Sequence, residues 1–295
     1  MSLSPSSEPL IRVGSRLPGS KGSPGTASQS GAGRGLGRGP GLEMSAILVK
    51  VSALIILGVA AGCCEEDDRI VGGSECVPHS VPYQVYIRNF RRPWCGASLL
   101  NAHWILTAAH CYIRPKVLNV WVGAHDLSVE ESSRQSLRVI RAIRHPGYDY
   151  GTTDNDIMLL KVSPAVRFND NVRPVQLPGS CSRNGTRCLV SGWGNTAIDG
   201  EAYPNRLQCL DVPILSDAEC RASYGDSLTP NMFCAGFLEG GKEACQVDSG
   251  GPLVCDGVQR GIVSWGLDCG RPGYTTIYTK LCNYTAWINE TITAN

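Results

Sequence analysis

The sequence predicts an all-β protein closed by one C-terminal α-helix, and three observations carry that expectation. In "SLRVIRAI" the apolar residues Leu137, Val139 and Ile143 fall at even spacing, and in "LDVPIL" Leu210, Val212 and Ile214 do the same, the period of a strand with one buried face. "PLVC-DG-VQRGIVSW" sets two apolar runs about Asp256-Gly257, a pair suited to a two-residue hairpin turn. Helical periodicity is confined to the end, where Tyr284, Trp287, Ile288 and Ile292 share one face. No internal repeat is found, and short strands of this kind build a barrel or a sandwich.

In chain order, residues 1–43 hold Gly, Ser, Pro and Arg with scarcely any large apolar residue. Such a stretch buries too little surface to offset its ordering entropy and reads as a disordered extension. Residues 44–62, "MSAILVKVSALIILGVAAG", carry one lysine, a twelve-residue apolar run from Val51 to Gly62 and small residues at the end. That is the pattern of a secretory signal peptide with translation starting at Met44. The run is short for a stable membrane span, and a signal anchor is the alternative. Residues 63–69, "CCEEDDR", are either a solvated linker or an acidic propeptide cut after Arg69 to free Ile70.

The remaining chain is long enough for a sizeable core. With a formal charge of +1 and no basic stripe interleaved with aromatics, it has no electrostatic footprint for nucleic acid. The 14 cysteines include no C-x-x-C pair, so zinc is a poor reading and a disulfide-stapled, secreted, extracellular protein the better one. Sequons at Asn184, Asn283 and Asn289 agree with a glycoprotein.

The residues that carry chemistry are Ser249 in "DSGGP", His110 in "WILTAAHCY" and Asp156 in "DNDIMLL". Acyl transfer through serine needs a base to take the hydroxyl proton and a buried carboxylate to hold that base. His110 follows an apolar strand, and Asp156 precedes Ile157-Met158-Leu159-Leu160, which must be buried. Singly, each has an ordinary structural explanation; the order His, Asp, Ser is one that such triads adopt. His79, His103, His125 and His145 are assigned to packing. An α/β-hydrolase is excluded because Val247 breaks the G-x-S-x-G elbow and strand–helix alternation is absent.

With "IVGG", "LTAAHC", "DNDIMLL", "SGWGNT", "DSGGP" and "IVSWG" in place, residues 70–295 resemble the trypsin-like (chymotrypsin-fold) serine proteases, most of all the vertebrate trypsinogens. The resemblance implies two packed antiparallel β-barrels, residues 70–172 and 173–295, with the C-terminal helix after the second. It makes Ser249 the nucleophile, His110 the general base and then acid, Asp156 the orienting carboxylate, and Ser264 a support behind that pair. It pairs Cys76 with Cys209, Cys95 with Cys111, Cys181 with Cys282, Cys188 with Cys255, Cys220 with Cys234 and Cys245 with Cys269. The freed amine of Ile70 would pair with Asp248, and the backbone N–H groups of Val247 and Ser249 would form the oxyanion hole.

The chain departs from the family in three places. Val247 stands where the family has glycine; a β-branched residue resists positive φ, so the loop either flips and loses a donor or stays and crowds large substrates, the second being expected. The pocket residues are Glu243, Ala244, Ser264, Trp265, Gly266, Asp268 and Thr276. Glu243 brings an acid with one extra methylene to the floor, Thr276 narrows the slot, Asp268 adds an acid at the rim and Gly266 leaves the mouth open. The expectation is cleavage after Arg or Lys at reduced efficiency, with preference for small residues as the alternative. In the loop where related trypsins hold calcium, Ala124 and Arg134 replace two carboxylates and leave Asp126 and Glu131, so calcium is disfavoured.

No metal or other cofactor is expected. Expected partners are protein or peptide substrates, an activating protease and serine protease inhibitors, with the chain a monomer. An active secreted endopeptidase made as a zymogen is weighed against a catalytically weakened binding or decoy module; the complete triad favours the first.

Overall fold

The computed structural model describes residues 70–197, 201–267 and 269–295. The expectations for residues 1–43, 44–62 and 63–69, Arg69 included, and for Asp268 lie outside them. After a two-residue strand β1 (Ser74–Glu75), six strands close into an antiparallel barrel: β2 (Gln84–Asn89), β3 (Arg92–Leu99), β4 (Trp104–Thr107), β5 (Leu118–Val122), β6 (Gln135–Arg144) and β7 (Met158–Ser163). Their order around the barrel is β2-β3-β4-β7-β6-β5. Leu118, Val120 and Val122 of β5 point inward, as do Leu137 and Val139 of β6, so the alternation read from sequence is the alternation that fills the interior.

The second half contributes β8 (Arg187–Gly192), β9 (Gln208–Pro213), helix α1 (Asp217–Tyr224), β10 (Met232–Cys234), β11 (Pro252–Cys255), β12 (Val258–Trp265) and β13 (Ile277–Lys280), followed by helix α2 (Thr285–Ala294). Its sheet runs β1-β9-β8-β11-β12-β13-β10. An isolated bridge between Ile214 and Ala235, with Leu215 N–H donating to the Cys234 carbonyl at 3.0 Å, draws the ends of β9 and β10 together and curls the sheet toward closure. The fold is thus all-β, a barrel beside a second curled sheet, with a terminal helix.

The turn between β11 and β12 has φ of +51° at Asp256 and +76° at Gly257, the geometry whose twist matches that of the strands it joins. In α2, Ile288 is buried, with Trp287 and Ile292 packed against the barrel cluster. Helix α1 was not foreseen. It is held by a capping box in which Ser216 accepts from Glu219 N–H and the Glu219 side chain reaches back to Ser216 N–H.

The chain ends cross over between halves: β1 pairs with β9, while α2 lies on the first barrel's cluster. Buried polar pairs stitch the halves together as well, Ser98 Oγ to Gln259 Oε1 at 2.7 Å and Ser191 Oγ to Gln84 Oε1 at 2.7 Å. The six disulfides are Cys76–Cys209, Cys95–Cys111, Cys181–Cys282, Cys188–Cys255, Cys220–Cys234 and Cys245–Cys269, the same pairs the resemblance implied. Bridges of this kind typically contribute about 2–4 kcal/mol each.

Candidate active site

His110 sits in a single 3-10 turn, Ala109–Cys111, just after β4. Its backbone N–H donates to Asp156 Oδ1 at 2.9 Å, and its ring Nδ1 lies 2.7 Å from Asp156 Oδ2. An ionised carboxylate only accepts, so Nδ1 carries the proton and Nε2 offers its lone pair. Asp156 is 1% exposed. Ser264 Oγ on β12 donates to Oδ2 at 2.6 Å, and Thr279 Oγ1 on β13 donates to the Asp156 carbonyl at 2.8 Å. The carboxylate that orients the imidazole is therefore fixed by groups from both halves.

Ser249 is clamped to the same place by two glycines. A Cβ on Gly250 would strike Thr107 Oγ1, and one on Gly251 would lie 2.7 Å from the Asp248 carbonyl oxygen. Only glycine lets the turn press onto the end of β4, three residues before His110. Gly96 N–H then donates to the Ser249 carbonyl at 2.9 Å, and the disulfide-bonded Cys111 Sγ lies 3.7 Å from that carbonyl. One ring nitrogen of His110 lies within 4.8 Å of both sulfurs of the Cys95–Cys111 bridge; oxidised sulfurs are not thiolate ligands. Among the described residues no hydrogen bond joins the Ser249 hydroxyl to the imidazole, a contact that commonly tightens only with substrate bound.

Beside Ser249 opens a cavity of about 150 Å³ lined by Glu243, Ala244, Ser264, Trp265, Gly266 and Thr276. All the described pocket residues read from sequence therefore meet there. Glu243 is 4% exposed. Its Oε2 accepts from Gly270 N–H at 2.9 Å and its Oε1 from the Thr276 hydroxyl at 3.1 Å. Burial pushes its carboxyl up to about 7, against the pull of those two donors. A Cβ on Gly266 would come within 3.2 Å of Glu243 Oε1, so glycine keeps the pocket mouth clear.

Behind the serine, Asp248 is 0% exposed. It accepts from Gly194 N–H at 2.8 Å and Cys245 N–H at 2.9 Å, and burial raises its carboxyl to about 7. A Cβ on Gly192 or Gly194 would strike its carboxylate oxygens, which gives "SGWGNT" a physical reason that the sequence did not disclose. Ile70 is 0% exposed, in the same cluster as Val190 and Leu253, with φ of +36°. Val247 has φ of +77°, so the valine adopts the left-handed region that glycine favours. Non-glycine residues held there cost about 1–3 kcal/mol and cluster at functional sites.

In the loop around residues 124–134, Glu131 Oε2 accepts from His125 N–H at 2.6 Å and Asp126 N–H at 3.2 Å. Asp126 Oδ2 takes Arg206 Nε at 3.4 Å, and Arg134 Nη1 donates to the Val129 carbonyl at 2.8 Å. The carboxylates are engaged by N–H groups and arginine, and a guanidinium occupies a loop carbonyl. His125 pairs with Glu75 at 3.0 Å, His79 lies 3.7 Å from Glu131, and His145 packs edge-on against Tyr284 and Trp287, all structural roles. No helix among the described residues is long and apolar enough to cross a membrane.

Comparison with known proteins agrees with this geometry. The family described as Trypsin matches residues 70–288. Cationic trypsin-3 of Rattus norvegicus is 49% identical over 250 residues, covering 83% of this chain and 100% of the relative. Trypsin II-P29 of Gallus gallus is 52% identical over 229 residues, 78% of this chain and 91% of the relative. Trypsin of Sus scrofa is 49% identical over 231 residues, 78% and 99% respectively.

Proposed function

Since the chain belongs to the trypsin family and is a serine endopeptidase acting on proteins, we propose that it is secreted as a zymogen, cut after Arg69, and cleaves after Arg or Lys with a modified pocket. One observation carries the catalytic assignment: His110 is held on Asp156 at 2.7 Å while glycines clamp Ser249 against the strand that leads to His110. In that arrangement Nε2 takes the Ser249 proton as Oγ attacks the scissile carbonyl. The tetrahedral oxyanion forms beside the N–H groups of Ser249 and Val247, and His110 then returns the proton to the leaving amine. Water repeats the sequence on the acyl-enzyme, restoring the Ser249 hydroxyl.

Burial of Ile70 in the core of the second half, in one cluster with Val190 and Leu253, supports the zymogen reading, because φ of Ile70 is defined by the peptide bond that activation removes. Cutting that bond ends the strain at +36° and supplies an ammonium group that would pair with the buried carboxylate of Asp248. The acid of Glu243 at the pocket floor favours a basic residue before the scissile bond. The shared hydroxyl of Thr276 and the raised Glu243 carboxyl weaken that preference, and they are what a small-residue specificity would rest on. The loop around Arg134 takes no calcium in this reading. The chain acts as a monomer, a serine protease inhibitor would enter through the same cleft, and an activating protease acts at Arg69.

The test is a phosphonate active-site probe applied before and after cleavage at Arg69. Stoichiometric labelling of Ser249 only in the cut form is expected. Absence of labelling in correctly cut protein would transfer the assignment to a decoy, whose physical basis would be the strained Val247 loop.

A further inference from the structure

We propose that the groove at the end of β6, on the His110 side of the site, is a docking surface for an acidic segment of a polypeptide substrate. The groove, of about 470 Å³, is lined by Tyr112, Arg141, Arg144, His145, Tyr148 and Tyr150, and it shares no lining residue with the pocket that holds Glu243. Its size falls within the roughly 300–1,000 Å³ of binding clefts. It borders the pair that activates the nucleophile. Tyr112 follows His110 by two residues, and burial together with the nearby charge of Asp156 pushes the Tyr148 phenol up to about 12. A polypeptide seated at Ser249 runs past this edge, and the proposal rests on the protease reading for that route alone.

The walls select the partner. The guanidinium of Arg144 lies 4.3 Å from the ring centroid of Tyr112 and 5.4 Å from that of Tyr150, and its Nη1 donates to the Tyr150 hydroxyl. Aromatic rings hold the faces of a guanidinium and leave its N–H edge, the edge that matches a carboxylate. Tyr148 meets Tyr150 edge-on, centroids 4.7 Å apart, which braces the aromatic wall. Arg141 is exposed, and among the described residues no carboxylate lies within ion-pair distance of either arginine. The neighbouring acid, Asp149, is engaged by its own turn, where Oδ1 accepts from Gly151 N–H at 2.6 Å and Thr152 N–H at 3.1 Å. The short turn Pro115–Val117 packs beside β6 and adds the exposed Lys116. Tyr150 is 69% exposed, so tyrosine and arginine are presented together, the pairing enriched where proteins bind proteins. Carboxylates answer the unpaired charge, and an aromatic side chain of the same segment covers the rings. A long polyanion such as a sulfated polysaccharide wants an extended basic track, whereas the cations that line this groove gather in one concavity.

The experiment is a fluorescence-anisotropy titration of the cut protein with a dye-labelled hexapeptide of four glutamates and two tyrosines. The same peptide with glutamine for glutamate, and a heparin hexasaccharide, are the comparisons. Saturable binding at one site per chain is expected, with the glutamine peptide weaker by about tenfold or more, the weight of a charge-assisted bond. Arg141→Gln and Arg144→Gln each weaken the acidic peptide about fivefold, the upper weight of an exposed ion pair, and leave the glutamine peptide unchanged. Thermal midpoints equal to the parent's establish that both variants are folded. No step of the titration depends on Ser249, so binding is read whether or not the phosphonate labels that residue, and the two assignments fail separately. Equal affinity for the glutamine peptide, no saturable binding, or undiminished affinity in both variants overturns the proposal. So does a heparin hexasaccharide that binds more tightly than the peptide and is weakened by the same substitutions.

Discussion

Asp156 grips His110 at two points, its Oδ1 accepting the backbone N–H at 2.9 Å while its Oδ2 holds ring Nδ1 at 2.7 Å. One carboxylate thus fixes both the position and the tautomer of the imidazole. Asparagine at this position can keep the backbone contact but turns an N–H toward Nδ1, so the ring proton moves to Nε2 and the base is lost. In Asp156→Asn, kcat is expected to fall by about 10⁴ with little change in KM, the size of loss such a tautomer error causes in related proteases. Ser264→Ala removes one of the bonds to Oδ2 and should cost about tenfold. Steady-state kinetics on the cut protein checks both, and a loss below tenfold in Asp156→Asn would remove Asp156 from the orienting role.

Glu243 sets a pH-dependent preference. Its carboxyl is raised to about 7 by burial, so the pocket floor is largely neutral below that value and negative above it. The quantity to measure is kcat/KM for an Arg peptide divided by that for the matching Ala peptide, because titration of the catalytic groups cancels in the ratio. The ratio should climb through about pH 7 by about tenfold, the weight of one charge-assisted bond. Glu243→Gln should leave it flat. A ratio that stays below one even at alkaline pH would assign the pocket to small residues.

Val247 stores strain next to the nucleophile. At φ of +77° the valine is held where glycine rests without penalty, and Val247→Gly should stabilise the fold by about 1 kcal/mol, near the low end for relief of such strain. If the side chain also crowds the leaving-group side, the same change should raise kcat/KM more for protein substrates than for small esters. Urea unfolding and paired kinetics read the two effects separately. Equal gains on both substrates would point to the oxyanion donor instead.

Much of the fold was legible because its signals are local. Asp256-Gly257 announces its turn through the φ values it tolerates, and the spacing of Trp287, Ile288 and Ile292 announces α2. Helix α1 offered Ser216 and Glu219 three residues apart, yet only Cys220 and Tyr224 on it are buried, too few for an apolar period to stand out. The site was legible as motifs but not as contacts. Gly192, Gly194 and Gly250 serve as sockets for Asp248 and Thr107, partners 54 to 56 positions away for Asp248 and 143 away for Thr107. Nothing local in the sequence encodes such distant pairs. The same is true of Thr276, whose hydroxyl proved to be directed at Glu243.

The loop around residue 130 should be indifferent to calcium. Arg134 bonds the Val129 carbonyl and Glu131 is engaged by two N–H groups, so a divalent cation would have to displace a guanidinium to gain oxygen ligands. Thermal unfolding in excess calcium and in excess chelator should give the same midpoint. A rise with calcium that saturates would show that the loop rearranges to bind it.

The buried carboxyl of Asp248 makes activation visible as stability. Burial raises it from an ordinary value near 3.8 to about 7, so between those limits the folded uncut chain holds a proton that the unfolded chain releases. The contribution of this group to the stability of the uncut form is therefore greatest below about 4 and declines as pH rises toward 7. Cutting after Arg69 supplies the Ile70 ammonium as a partner for the ionised carboxylate, which offsets that decline. Urea unfolding of cut and uncut protein should thus diverge as pH climbs from 4 to 7, with the cut form ahead. The gap should narrow again at alkaline pH as the amine loses its proton. In Asp248→Asn the two forms should track each other across the whole range. Parallel curves for the unaltered protein would mean that the freed amine does not reach the carboxylate.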